Sequence, residues 1–84
     1  MSYSLLILRR AQKELGSVSE PHRSAIIRII GLMDKNPRPA GCLKLTGRPA
    51  WRVKVGNYRI IYEIDDDARK ILIAHIGHRK DVYR

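Results

Sequence analysis

The stretch WRVKVGNYRIIY, residues 51–62, predicts a tight antiparallel hairpin that organises the second half of the chain. Gly56 and Asn57 suit a two-residue turn because both residue types tolerate positive φ, and the flanking residues alternate between apolar and polar side chains. Counting outward from this turn sets Lys54 opposite Arg59. Successive side chains of a strand point to opposite faces, so one face of the hairpin should be apolar and pack against helices. That face comprises Trp51, Val53, Val55, Tyr58, Ile60 and Tyr62.

The other face of the hairpin should gather three cations, Arg52, Lys54 and Arg59. Like charges opposite each other destabilise a sheet by about a few tenths of a kcal/mol at an exposed site, so another effect must favour them. The hairpin alone leaves two interpretations open: a solvated face that serves solubility, or a site that binds an anion.

The remaining elements predict an α+β fold, with helices packed on one face of a mainly antiparallel sheet. YSLLIL fits a buried first strand, and RRAQKEL fits a short amphipathic helix that Gly16 stops. Ser19 is a candidate cap for a second helix, which Asn36 and Pro37 should end. The loop NPRPAG then leads to the strand CLKL, the hairpin and the strand KILIAHI. We therefore expect an N-terminal strand, a helical hairpin, and then three to four antiparallel strands, all in one domain of residues 1–84.

The C-terminal stretch IGHRKDVYR, residues 76–84, should lie beside the three cations. If the turn in DDDAR pairs Asp65 with Lys70, the last strand runs back along the hairpin and brings Gly77 beside Tyr58. This strand should be central, with Leu72, Ala74 and Ile76 on one face and Ile71 and Ile73 on the other. Its end then delivers His78, Arg79 and the tail to Tyr83 to the hairpin turn.

The composition adds a strong positive charge. Seventeen lysines and arginines against eight acidic residues give a net charge of +9, which exceeds what solubility requires. Nucleic acid, an acidic protein and an anionic membrane surface are the candidate partners for such a field. The lone Cys42 excludes an internal disulfide framework. We find no signal peptide and no apolar run of about twenty residues, and therefore expect a soluble cytoplasmic protein.

The residues near the hairpin turn fit phosphoryl transfer without a metal. Three scattered histidines and one cysteine have no metal-ligand spacing, and the run DDD is typical of a solvated turn. Arginines clamp phosphate in bidentate fashion, which suits Arg52, Arg59 and Arg79. Arginine neighbours disfavour the charged form of Lys54, so this lysine is a candidate base, or a charge that stabilises the transition state. Tyr83 can stack on a base or orient the substrate.

The three histidines are weaker candidates. We expect His22 on the surface early in the second helix, and His75 as a hydrogen-bonded residue within the last strand. Only His78 should lie near the three cations, and the sequence gives it no definite task.

The segments NPRPAGCLKLTG, WRVKVGNYRIIYEIDDD and IGHRKDVYR resemble the RelE branch of the RelE/ParE toxin superfamily of bacterial and archaeal toxin–antitoxin systems. Family members with this pattern are mRNA interferases, which enter the A site of the 30S ribosomal subunit and cut mRNA by attack of the ribose 2′-hydroxyl. The resemblance implies a metal-independent endoribonuclease without cofactors that inhibits translation and growth. It also implies a RelB-like antitoxin that covers the basic site, and binding to operator DNA only through the antitoxin complex. The chain ends one residue after Tyr83, so we expect the C-terminal helix of some relatives to be missing.

The resemblance also suggests a role for each site residue. Lys54 would be the general base, and Arg79 the general acid or the stabiliser of the leaving oxygen. Tyr83 would stack on or orient the nucleotide. Arg59 and Arg52 would clamp phosphate, and Arg52 stands where well-known relatives have lysine, so Lys54 is the single lysine candidate for the base. We assign RNA or phosphate binding to Arg52, His78 and Lys80, and the catalytic set is Lys54, Arg59, Arg79 and Tyr83.

Two other functions are compatible with the same fold. A ParE-like toxin would inhibit DNA gyrase by binding, without nuclease activity, and would have no need of a phosphoryl-transfer set. A plain nucleic-acid-binding module would lose affinity steeply with salt, and its lysines would contribute additively. The clustering of basic residues with a tyrosine favours the interferase.

Overall fold

The computed structural model describes residues 2–79, which form two helices and one five-stranded sheet. The elements are β1 (Ser4–Ile7), α1 (Arg9–Gly16), α2 (His22–Leu32), β2 (Leu43–Lys44), β3 (Trp51–Val55), β4 (Tyr58–Asp65) and β5 (Lys70–His78). The strand order is β1-β5-β4-β3-β2, in which β1 is parallel to β5 and the other neighbours are antiparallel. The predicted α+β class is confirmed. No helix of the described residues is long and apolar enough to cross a membrane.

The helices cover one face of the sheet, and the core lies between them. The hairpin face that the sequence predicts to be apolar contributes to this core, with Ile60 and Tyr62 fully buried and Val53 nearly so. The other face, which the helices leave uncovered, is called the open face below. The buried residues of this core are Ala11, Val18, Ile26, Ile30, Met33, Val53, Ile60, Tyr62, Ile71, Ile73 and Ile76. Ala50 and Ile61 form a second, smaller buried cluster.

The first strand is an edge strand, whereas the sequence predicted a buried one. β1 pairs only with β5, and its side chains alternate between exposed and half-buried. Leu5 and Ile7 pack against the core, while Leu6 is 61% exposed. An apolar sequence pattern therefore predicts a strand buried on both faces, even though the helices cover only one face of β1.

The structure also corrects both ends of the second helix. The sequence predicted a cap at Ser19, but the Glu20 carboxylate takes this role by accepting the backbone N–H of Ser24 at 2.9 Å. Hydrogen bonding from Ser24 lowers the pKa of Glu20. A negative charge at this position also interacts favourably with the helix dipole. The helix ends at Leu32, before the predicted stop at Asn36.

β5 contains a β-bulge that shifts its register against β4. Tyr62 pairs with Ile73, but Ile61 pairs with His75, so Ala74 is an extra residue without a partner on β4. The predicted pairing of Asp65 with Lys70 is confirmed, whereas the prediction that Gly77 lies beside Tyr58 is wrong. Because side chains alternate along a strand, one extra residue exchanges the faces of everything that follows it. Gly77 therefore pairs with Arg59, and Ile76 joins Ile71 and Ile73 in the core.

The loop before β2 is fixed to the acidic turn between β4 and β5. The Arg38 guanidinium donates two hydrogen bonds to the Asp66 carboxylate, with N–O distances of 3.2 and 2.8 Å. The Tyr3 hydroxyl donates a third to the same carboxylate at 2.7 Å. Arg38 also stacks over Trp51, with 4.9 Å between the guanidinium carbon and the ring centroid. The turn is thus a structural contact, with Arg38 holding the pKa of the Asp66 carboxyl below its usual range.

We expect Asp66→Asn to flatten the acid limb of the stability profile. The unfolded-state pKa of aspartate is about 3.9 and the folded-state pKa of Asp66 is lower, so its stabilising effect is complete above that value. This effect is lost as the pH falls through the folded-state pKa, and asparagine cannot contribute it. Urea unfolding at a series of pH values from about 6 down to 2 measures the difference. Asp67→Asn, in the same turn, is the matched control for loss of one negative charge, and identical acid limbs in all three proteins would refute the assignment.

Candidate functional site

The hairpin places three cations on the open face, in the register that the sequence predicts. Lys54 pairs with Arg59, and Arg52 pairs with Ile61. Gly56 has a φ of 61°, as the first position of a type II′ turn requires, and this turn fixes the register. Arg52 is half-buried, Lys54 is exposed, and Arg59 is buried. These three residues are called the basic cluster below.

Arg59 is a buried cation that binds carbonyl oxygens of its own turn. It is 9% exposed, and its Nη1 donates to the carbonyl of Gly56 at 3.3 Å and to that of Tyr58 at 3.0 Å. The salt bridges within residues 2–79 use Arg10, Arg23, Arg38 and His75, and none uses the basic cluster. Burying a guanidinium without an anion is unfavourable, and carbonyl dipoles compensate only in part. A bound phosphate would supply the missing negative charge.

The end of β5 reaches the same turn. The backbone N–H of Arg79 donates to the carbonyl of Asn57 at 2.8 Å, which ties the strand end to the hairpin. Because of the bulge at Ala74, positions 75, 77 and 79 alternate onto the face that carries Arg59. In the register without a bulge, position 79 would alternate onto the helix face instead. If this alternation continues one residue past the end of β5, the exposed Arg79 side chain lies on the side of the basic cluster.

The other predicted residues of the tail are placed differently. His78 pairs with Tyr58, so it belongs to the face that the helices cover, opposite the basic cluster. Its ring meets the Tyr58 ring edge-on, with 5.7 Å between the centroids. Lys80 and Tyr83 lie outside the described residues, and their assignments stay predictions.

His22 is a site neighbour that the sequence did not indicate. It is half-buried, although the sequence predicted a surface position, and its ring centroid lies 5.2 Å from that of Tyr58. Its ring also approaches Gly56, where a Cβ atom would lie 3.1 Å from Cδ2. The contact joins the start of α2 to a turn more than thirty positions further along the chain, so no local sequence pattern could have revealed it.

His75 has a structural environment. Its Nδ1 lies 2.7 Å from Oε1 of Glu14, and the same oxygen accepts the backbone N–H of Ile76 at 3.0 Å. Since β1 ends at Ile7, this part of the β5 edge has no neighbouring strand, and the Glu14 carboxylate takes the place of a strand acceptor. The Nε2 atom of His75 is buried and has no hydrogen-bond partner within the described residues.

A surface depression lies away from the basic cluster. Its volume is about 890 Å³, and it occupies the opposite end of the sheet, where Leu6 and Leu72 meet Glu63 and Asp65. None of the predicted site residues lines it. Within residues 2–79, no three histidine, cysteine or acidic side chains form a group that could hold a metal ion. The candidate site is therefore the open, cationic surface around the hairpin turn.

This fold is that of type II toxin–antitoxin toxins. The archaeal RelE in its complex with RelB from Pyrococcus horikoshii OT3 matches with a TM-score of 0.84 at 24% identity, over 98% of this chain and 100% of that chain. The RelB–RelE complex from Methanococcus jannaschii matches with a TM-score of 0.74 at 29% identity, over 93% and 94%. The family of ParE toxins of type II toxin–antitoxin systems (parDE) matches residues 5–83, and the chain belongs to this family. Toxin RelG from Mycobacterium tuberculosis (strain ATCC 25618 / H37Rv) is 26% identical over 100% of this chain and 99% of its own.

Proposed function

We propose that this toxin is a ribosome-dependent mRNA interferase that cuts mRNA in the A site and thereby inhibits translation. The observation that carries the proposal is the buried guanidinium of Arg59, which has no carboxylate partner within residues 2–79 and lies beside Lys54. A surface that serves solubility has no reason to bury a cation, whereas a phosphate site does. The likeness to RelE and RelG toxins supports the same reading.

The chemistry is attack of a ribose 2′-hydroxyl on the adjacent phosphate. The 2′-oxygen forms a bond to phosphorus, the bond to the 5′-oxygen breaks, and the products are a 2′,3′-cyclic phosphate and a 5′-hydroxyl end. Lys54 takes the proton of the 2′-hydroxyl or stabilises the charge that develops on the phosphate. Arg59 and Arg52 bind the phosphate oxygens. Arg79 donates either a proton or a hydrogen bond to the leaving 5′-oxygen. Tyr83 stacks on or orients the nucleotide, while Lys80 contributes to RNA binding. His78 lies on the face opposite the basic cluster and is given no role at the phosphate.

The proposed partners are a RelB-like antitoxin, the ribosome and its mRNA. The solved relatives include complexes of RelE with RelB, which supports an antitoxin of that kind. A charge of +9 suits an acidic or amphipathic antitoxin segment as well as RNA. Operator DNA would be bound only through the antitoxin complex.

Inhibition of DNA gyrase is the second candidate function, because the family that matches residues 5–83 is described as ParE. A gyrase inhibitor acts by binding, so its activity would not depend on any one residue of a phosphoryl-transfer set. Loss of function would then be spread over the contact surface.

Expression of the chain without its antitoxin decides between these functions. We expect translation to stop, and primer extension on cellular mRNA to show cuts only within translated reading frames. Equal cutting of naked RNA would contradict ribosome dependence. Growth arrest with intact mRNA, together with inhibited supercoiling by purified gyrase, would establish the second function instead.

A further inference from the structure

We propose that His22 is a positioning residue of this site. Its ring packs against the hairpin turn and fixes the position of that turn, whose carbonyls bind Arg59 and the backbone of Arg79. The proposal rests on the proposed function for its catalytic consequence, whereas its structural part stands on contacts within the protein. His22 has no place in the set of residues that the family resemblance implies.

The hairpin turn is where the candidate residues are fixed. The carbonyls of Gly56 and Tyr58 accept hydrogen bonds from the buried guanidinium of Arg59. The carbonyl of Asn57 accepts a hydrogen bond from the backbone N–H of Arg79. Three consecutive peptide carbonyls thus hold one cation and the backbone of another. A shift of this turn would move both residues relative to Lys54. Misplacement by about 1 Å is enough to reduce catalysis about 100-fold.

His22 is a contact between α2 and this turn. The imidazole lies against the Tyr58 ring at a tilt of 49°, and Tyr58 in turn meets His78 edge-on. On its other side, the imidazole lies so close to Gly56 that a Cβ atom there would be 3.1 Å from Cδ2 and 3.3 Å from Nε2. The turn is therefore bounded by a ring on the helix side, while its carbonyls hold Arg59 and Arg79.

These contacts are made by the ring itself, so shape and volume carry the effect. Phenylalanine keeps a planar ring at the same position, whereas alanine removes the ring that α2 places against the turn. Gly56 has φ 61° at the first position of a type II′ turn, a conformation that glycine adopts freely and that any residue with a Cβ adopts only with backbone strain. Gly56→Asn adds this backbone strain in every background, so only its additional effect beside the imidazole tests the contact with His22.

The first test is kinetic, on ribosomes programmed with a defined mRNA. We expect His22→Ala to lower the rate constant of cleavage about 10- to 100-fold, with little change in the concentration needed for half-saturation. His22→Phe should restore most of the rate and keep the wild-type pH profile. Arg23→Ala, the next residue of α2, is the matched control. If His22→Phe is as slow as His22→Ala, or loses a limb of the pH profile, His22 acts by proton transfer and the proposal is overturned.

The second test uses coupling between two substitutions. Gly56→Asn should reduce cleavage in the wild-type background, because it strains the turn and its Cβ crowds the imidazole, 3.1 Å from Cδ2. The same substitution should cause a clearly smaller further loss in His22→Ala, where the backbone strain remains but the crowding by the imidazole is removed. An equal loss in both backgrounds would show that the two residues act independently, which contradicts the proposal.

The third test does not depend on catalysis. Amide hydrogen exchange of Arg79, measured by NMR on the full chain, should accelerate at least several-fold in His22→Ala and remain at the wild-type rate in His22→Phe and Arg23→Ala. Absence of cleavage by the wild-type chain would contradict the proposed function. Unchanged exchange of Arg79 in His22→Ala would contradict the role of His22.

Discussion

Lys54→Ala is expected to reduce mRNA cleavage about 10²–10⁴-fold, the range over which a general base contributes. Lys54 is exposed and pairs with Arg59 across the hairpin, so the backbone register does not depend on its side chain. The free energy of unfolding should therefore change by no more than about 0.5 kcal/mol. Ribosome binding, measured by co-sedimentation, should remain near that of the wild-type toxin, because the other cations still contact RNA.

Two further variants separate the possible roles of Lys54. Lys54→Arg keeps the positive charge, but arginine cannot accept a proton at neutral pH. If Lys54 is the base, this variant should be as inactive as Lys54→Ala. Substantial activity in Lys54→Arg would instead mean that only the charge matters. Lys44→Ala removes the same charge from the neighbouring strand β2 and is expected to leave cleavage unchanged. A loss in Lys44→Ala as large as in Lys54→Ala would point to general electrostatic binding, as in a plain RNA-binding module.

Glu14→Ala should have a larger effect on stability than the substitutions of surface charges, about 2–6 kcal/mol. The Glu14 carboxylate accepts the N–H of Ile76 at 3.0 Å and faces Nδ1 of His75 at 2.7 Å. Alanine would leave the backbone N–H of a buried strand position without an acceptor, and would also remove the partner of a largely buried imidazole. Each such loss costs about 1–3 kcal/mol. Urea unfolding followed by circular dichroism measures the change.

Arg10→Ala is the matched control for this prediction. Arg10 forms an ion pair with Glu14 at 3.4 Å, but its side chain is 65% exposed and the pair joins neighbouring turns of α1. Such pairs contribute about 0.2–0.5 kcal/mol. Glu14→Gln, which keeps one acceptor oxygen, should fall between the two. A destabilisation by Arg10→Ala equal to that by Glu14→Ala would show that the surface pair, and not the β5 edge, accounts for the effect.

The hairpin was predictable because two independent signals agree there. Alternation of apolar and polar residues sets the faces, and the Gly56–Asn57 turn sets the register, so the pairing of Lys54 with Arg59 is confirmed. The end of β5 was not predictable, because nothing in ILIAHIG distinguishes the extra residue Ala74 from its neighbours. The bulge depends on packing: it keeps Ile76 in the core. The sequence likewise could not predict the position of His22, because that position depends on how α2 packs against a distant turn.

The pairing of β1 with β5 has a consequence for the biogenesis of the toxin. Residues 4–7 of β1 pair with residues 70–73 of β5, so β1 cannot form this pairing until β5 has been synthesised. Such distant contacts slow folding, because nearly the whole chain must be ordered before they form. The hydrogen bond from the Ile76 N–H to the Glu14 carboxylate also requires β5. A nascent chain consequently cannot complete its sheet and the hairpin end of its basic site before residues 70–79 have been synthesised.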